Sequence, residues 1–87
     1  MRKIAFEESA FQDFVEWENL DKNMFKRIVV LIADVVRQPF SGIGKPEPLK
    51  HELKGYWSRR INDEHRLDYK VTVDAIIIVS CRYHYNK

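Results

Sequence analysis

From Gly44 to His51 the chain reads Gly-Lys-Pro-Glu-Pro-Leu-Lys-His, so a carboxylate, Glu47, stands between two prolines with Lys45 and Lys50 close by. Proline fixes its own φ and pushes the preceding residue out of the helical region, so Glu47 is expected on stiff, extended backbone. Downstream come Arg59, Arg60, His65, Arg66 and His84, with Tyr83 and Tyr85 flanking the last histidine. One carboxylate, several cations and a histidine are the groups needed to cut RNA without a metal. A base takes the proton of the 2′-hydroxyl, cations stabilise the dianionic phosphorane, and an acid protonates the departing 5′-oxygen. Glu47 is the candidate base and His84 the candidate acid. DNA lacks the 2′-hydroxyl, so this set of groups implies RNA. Tyr83 and Tyr85 are placed to stack unpaired bases. Taken singly, each residue also has a plainer reading: an exposed loop glutamate, a histidine in a frayed end, tyrosines packed at a sheet edge.

Other chemistries find less support. His51, His65, His84 and Cys81 follow none of the zinc spacings, so no metal site is expected. No Gly-rich phosphate loop is present, Gly42-Ile-Gly44 being too short a match, and no cofactor is called for. Cys81 lies in an apolar run and reads as a small core residue; as the one cysteine it can form no internal disulfide. Trp57 reads as core, and Arg59 and Arg82 as surface or partner-facing charges.

The elements that must position these groups can be read from the periodicity. Lys3–Phe6 is short and apolar, a first strand. A helix is expected from about Glu7 to Leu20, with Phe11, Phe14 and Val15 on one face. Asp21 is a good N-cap for a second helix running to about Arg37, with Phe25, Ile28, Leu31, Ile32 and Val35 on its apolar face. The short join implies an antiparallel hairpin. All three glycines and all three prolines lie in 39–55, which makes that stretch the irregular one and a natural carrier of functional groups. Beyond it the period becomes two, giving strands at Tyr56–Ile61, Arg66–Thr72 and Ala75–Tyr83, with turns at Asn62–Glu64 and Val73–Asp74. The order β-α-α-β-β-β predicts an α+β fold, a small, mostly antiparallel sheet against a helical hairpin.

Parity sharpens this. Trp57 and Ile61 facing the helices turn Arg60 away, and Leu67, Tyr69 and Val71 facing the core turn Arg66 away. A three-residue turn then sets Arg60 directly opposite Arg66, a like-charge pair that is unfavourable unless an anion or acidic partner sits between them. The face of His84 depends on whether a bulge interrupts the last strand.

Eighty-seven residues suit one domain, 1–87, and 45% hydrophobic with 13% aromatic residues is too rich for a disordered chain. No signal peptide or transmembrane span is seen, so a cytoplasmic protein without membrane contact is expected. Residues 1–21 hold six acidic and two basic side chains, and the remaining residues seven and thirteen. This asymmetry favours a polyanionic partner on the C-terminal side, against the plainer reading of a solvated basic surface.

Four segments in this order and spacing resemble the Txe/YoeB toxins of the RelE-like group of type II toxin–antitoxin modules. They are Gly44 to His51, Gly55-Tyr-Trp-Ser-Arg-Arg-Ile61, Glu64-His-Arg-Leu67 and Arg82-Tyr-His-Tyr85. The resemblance covers essentially the whole chain. It implies a RelE-like fold and a ribosome-dependent mRNA interferase that cuts mRNA in the A site of the 70S ribosome. It implies catalytic roles for Glu47, Arg66 and His84, a stacking role for Tyr85, and Lys50, His51 and Arg60 lining the same site. It also implies an antitoxin of YefM/Axe type and a tendency to form homodimers. The alternatives are a non-catalytic module of the same fold that binds the ribosome or the antitoxin, and a toxin directed at a protein; the retained Glu47, Arg66 and His84 argue against both.

Overall fold

The computed structural model describes residues 1–83. In chain order the elements are β1 (Lys3–Phe6), α1 (Glu8–Leu20), α2 (Lys22–Arg37), β2 (Glu47–Pro48), a 3-10 turn at His51–Leu53, β3 (Tyr56–Arg60), β4 (Arg66–Val71) and β5 (Ala75–Ser80). They form one sheet in the order β1-β5-β4-β3-β2, with β1 parallel to β5 and every other pairing antiparallel. The architecture is the expected α+β one, with two helices packed on a small, mostly antiparallel sheet. In the sheet, two details stand out against the sequence reading. Glu47 and Pro48 are not only extended but form a fifth, edge strand against β3. And β5 ends at Ser80, short of Tyr83.

The helical hairpin follows from its caps and faces. The Asp21 carboxylate accepts hydrogen bonds from the N–H groups of Asn23 and Met24 at 3.0 and 3.3 Å, as its N-cap position requires. Ile28, Leu31 and Val35 of α2 are fully buried against Leu67, Tyr69, Ile76 and Ile78 of the sheet. On α1 the expected stripe is wrong in two of its three members. Phe11 and Val15 are exposed, and the inward residues are Ala10, Phe14 and Trp17. The small side chain of Ala10 explains the choice, since α1 approaches the sheet so closely that the Cys81 Sγ lies 3.5 Å from the Ala10 carbonyl oxygen.

The largest departure is Arg59. It is no surface charge: its side chain is completely buried. It shares the helix-facing side of β3 with Trp57 and Ile61, and reaches under the loop that follows α2. Its Nη1 donates to Asp34 Oδ2 at 2.6 Å and to the Ile43 carbonyl at 3.1 Å. Its Nη2 donates to the Gln38 and Ser41 carbonyls at 2.6 and 2.7 Å, and Nε donates to the Tyr69 hydroxyl at 3.1 Å. The Tyr69 hydroxyl in turn donates to the Pro39 carbonyl at 2.7 Å. Asp34 accepts further bonds from Gln38 Nε2, Arg37 Nη2 and the Ile43 N–H. Gly44 closes the loop onto β3, its carbonyl accepting from the Arg60 N–H at 2.7 Å. At φ +80 a Cβ there would stand 2.8 Å from Leu31, so only glycine fits.

Hydrogen bonds from Gln38 first, then from Arg37, Arg59 and Ile43, hold the Asp34 carboxyl well below the usual carboxylate range, against the opposing effect of burial. A carboxylate depressed in the fold contributes stability that is complete above its unfolded value of about 4 and is lost as pH falls through the folded value. Asp34→Asn is therefore expected to cost about 3 kcal/mol at pH 7, since it leaves a buried guanidinium without its counter-charge. The gap between wild type and variant is expected to narrow steadily below about pH 4. Urea unfolding across that range checks both; a gap that does not change with pH would contradict the ionised buried pair.

Candidate functional site

The sheet face turned away from the helices carries three of the residues singled out by sequence, Glu47, Arg60 and Arg66. Glu47 pairs with Ser58, Ser58 with Asp68, and Asp68 with Ser80, so one row crosses four strands. Opposed residues share a face, which sets Glu47 on the same side as Ser58 and Asp68. Two residues further along β3, Arg60 stands directly opposite Arg66, as the parity argument required. The turn between them is locked by Asn62, whose Oδ1 accepts from the N–H groups of Glu64 and His65 at 2.8 and 2.7 Å. Glu47 and Arg66 are thus separated by two strand spacings, about 10 Å, and about 7 Å along the strand. Long side chains from both ends can close on one phosphodiester across that span.

The electrostatics of the pair are uneven. Arg60 is partly exposed, with Asp63 at 4.0 Å from Nη1, the limit of an ion pair. Arg66 is half-buried, has no carboxylate at ion-pair distance among the described residues, and has a buried Nε with no hydrogen-bond partner there. A buried donor without a partner costs about 1–3 kcal/mol, and an incoming phosphate oxygen would remove that cost.

Glu47 itself is exposed at the sheet edge. Lys50 and His51 are exposed on the turn beyond Pro48, with His51 at φ +60. That turn lies at the Tyr56 end of β3, four residues from Arg60, so these two are not drawn into the Arg60–Arg66 row. Tyr83 has its carbonyl bonded to the Arg66 N–H at 3.2 Å, which brings the chain to the Arg66 end of β4. His84 and Tyr85 lie outside the described residues. A register shift between Asp68 and Tyr69 inserts Val79 as an extra residue in β5, the kind of bulge on which the face of the C-terminal residues was expected to depend.

Two further basic residues are more enclosed than their types suggest. Arg82 is not a free surface charge: it contacts Glu16 at 3.1 Å and Asp13 at 3.8 Å and lies over the Trp17 ring. His65 is buried, with Nδ1 accepting from the Tyr83 N–H at 2.8 Å. The signal available for it was its position between Glu64 and Arg66, where alternation puts it on the side opposite Arg66. Cys81 is buried, and burial followed by the Asp13 charge pushes its thiol up to about 12, so it is a packed neutral residue. Trp57 is half-buried and packs against Phe40 at 5.1 Å between ring centroids. No described helix is long and apolar enough to cross a membrane.

The sequence matches a known family over residues 6–85: the YoeB-like toxin of bacterial type II toxin–antitoxin systems. A protein described as Toxin YoeB from Streptomyces coelicolor is 55% identical over 83 residues, covering 95% of this chain and 99% of that one. The solved structure of a YoeB/ParE toxin from Agrobacterium tumefaciens superposes with a TM-score of 0.92 at 42% identity, covering 95% and 99% of the two chains. Staphylococcus aureus YoeB, solved as a dimer, gives 0.89 at 48% identity, covering 97% and 98%. The same protein in a YoeB-YefM complex gives 0.88 at 46%, covering 98% and 99%.

If Arg60 and Arg66 frame an anion site, Arg60→Gln is expected to stabilise the sulfate-free protein slightly, by about 0.5 kcal/mol, through relief of like-charge repulsion. Sulfate is expected to raise the melting temperature of the wild type more than that of the variant. Thermal melts with and without sulfate decide it; equal shifts in the two proteins would mean that the pair holds no anion.

Proposed function

Because the chain belongs to the YoeB-like toxins of bacterial type II toxin–antitoxin systems, we propose that it acts as a ribosome-dependent endoribonuclease on mRNA. The observation that carries this reading is Arg66: a half-buried guanidinium with no acidic partner among the described residues, set opposite Arg60 on the face that Glu47 also occupies. Such a site is built for a polyanion whose charge increases during reaction.

In the proposed reaction the Glu47 carboxylate takes the proton of the 2′-hydroxyl. The 2′-oxygen attacks the adjacent phosphorus, and Arg66 with Arg60 neutralises the phosphorane. The bond from phosphorus to the 5′-oxygen then breaks, and His84 gives that oxygen a proton. The products are a 2′,3′-cyclic phosphate and a 5′-hydroxyl. Tyr85 serves as a stacking platform for a base next to the cut, and Lys50 and His51 contact the backbone further along.

The partners follow from the same reading. An antitoxin of YefM type is proposed to bind this chain, as YefM does in the Staphylococcus aureus complex, and a homodimer is proposed by analogy with the dimer solved for that protein. An acidic antitoxin segment would find its counter-charge on the part of the chain from residue 22 onward, which holds thirteen basic and seven acidic side chains.

Arg66→Ala is expected to slow mRNA cleavage on ribosomes by about 10²–10³-fold, the usual loss for one oxyanion-stabilising donor. The fold should persist, because Arg66 points away from the helices. Replacing the 2′-hydroxyl at the cut position by hydrogen is expected to stop the reaction. Toeprinting with end-group analysis checks both. Stalling without cleavage by the wild type would instead support a non-catalytic ribosome-binding module.

A further inference from the structure

We propose that His65 is a positioning residue that clamps the C-terminal segment beside Arg66; its catalytic consequence rests on the nuclease reading above. Five observations converge on it. First, the Tyr83 N–H donates to His65 Nδ1 at 2.8 Å, and the Tyr83 carbonyl accepts from the Arg66 N–H at 3.2 Å, so both backbone groups of Tyr83 are held by consecutive residues of one strand entry. Second, Tyr83 sits at φ +60, left-handed backbone that a tyrosine adopts only when its surroundings impose it. Third, the imidazole is buried between aromatic rings, edge-on to Trp17 at 4.9 Å and tilted against Tyr83 at 5.0 Å. Fourth, the histidine backbone is itself fixed: its N–H donates to Asn62 Oδ1 at 2.7 Å and its carbonyl accepts from the Ile61 N–H at 3.0 Å. Fifth, the residues just before Tyr83 are tied to α1, through the Trp17 Nε1 bond to the Cys81 carbonyl at 3.0 Å and the Arg82–Glu16 ion pair at 3.1 Å.

A neutral imidazole accepts through one nitrogen only. With Nδ1 accepting from Tyr83, the ring carries its proton on Nε2, the side where Glu64 Oε1 lies 3.6 Å away. The clamp therefore depends on a hydrogen-bond acceptor at one point in space, not on bulk alone. Its effect falls on whatever follows Tyr83 in the chain, and the next residue is His84, the proposed acid. His65 touches no substrate in this account. It fixes Tyr83, the residue to which the proposed acid is joined in the chain.

The test uses three variants of the whole chain in single-turnover cleavage of ribosome-bound mRNA. Asparagine places an oxygen near the position of Nδ1, whereas the longer glutamine side chain moves it away and alanine removes it. His65→Ala and His65→Gln are expected to lower the cleavage rate at saturating toxin by about 100-fold, the order of loss for a misplaced catalytic group. The toxin concentration giving half the maximal rate should change little. His65→Asn is expected to recover most of the rate. If lost packing were the whole effect, asparagine and glutamine would be equally slow, and that result overturns the proposal, as does wild-type rate in His65→Ala. A readout without activity separates this inference from the nuclease reading. In ¹⁵N-labelled protein a coupling across the hydrogen bond is expected between the Tyr83 amide nitrogen and His65 Nδ1, with a slowly exchanging Tyr83 N–H. Absence of both in the wild type overturns the clamp whether or not the protein cuts RNA. Presence of both in a protein that cuts nothing sustains the clamp and overturns the nuclease reading alone.

Discussion

The segment that carries Glu47 is shaped around one buried guanidinium. Arg59 has five N–H donors, and each meets an acceptor: Asp34, Tyr69 and the carbonyls of Gln38, Ser41 and Ile43. Asp34 likewise uses both oxygens twice. Complete pairing is the condition under which a buried charge is tolerated, because an unpaired one loses several kcal/mol of hydration with nothing in return. The consequence is geometric. Three carbonyls of the loop point at one rigid planar fork, so the path from the end of α2 to Gly44 has little freedom left. Glu47 then reaches the edge of β3 on a two-residue strand that has almost no ladder of its own.

This hub was legible in part. Alternation along Tyr-Trp-Ser-Arg-Arg-Ile puts Arg59 on the same side as Trp57 and Ile61, which is the buried side. Residue type points Arg59 to the surface and parity points it inward, and the side chain follows the parity. Asp34 carried the matching signal, a carboxylate three residues from Leu31 and one from Val35 on the apolar face of α2. A charge of each sign on two inward-facing positions is a better guide than either alone, because each makes the burial of the other possible.

For α1 the sequence held two apolar stripes of similar width, and periodicity does not rank them. Docking distance does. Ala10 admits the Cys81 region of the chain to within contact, and Trp17 contributes both its ring and an N–H that bonds the Cys81 carbonyl. The rejected stripe, Phe11 and Val15, is left exposed. The strands fared better because a two-residue period leaves one register once a buried face is chosen. That is why the opposition of Arg60 and Arg66 was readable from the sequence, whereas the bulge at Val79 was not: an inserted residue in a continuous run of Ile and Val leaves no trace in the pattern.

The candidate site is assembled from three segments that are anchored separately. The Arg59 hub holds the loop leading to Glu47, the locked Asn62–Glu64 turn fixes Arg60 against Arg66, and His65 with Trp17 holds the chain at Tyr83. Each anchor lies outside the set of groups to which chemistry is assigned, and each sits on or beside a regular element. Strain is concentrated at the joints between them. The three described non-glycine residues with positive φ are Lys45, His51 and Tyr83, and all three lie in or next to the segments that carry candidate site residues. Left-handed backbone at such residues costs about 1 kcal/mol or more each, so the fold must over-determine them. A buried arginine with every donor used, and a histidine nitrogen aimed at one amide, are the kind of fixed points that can do so in a chain of 87 residues with a small core.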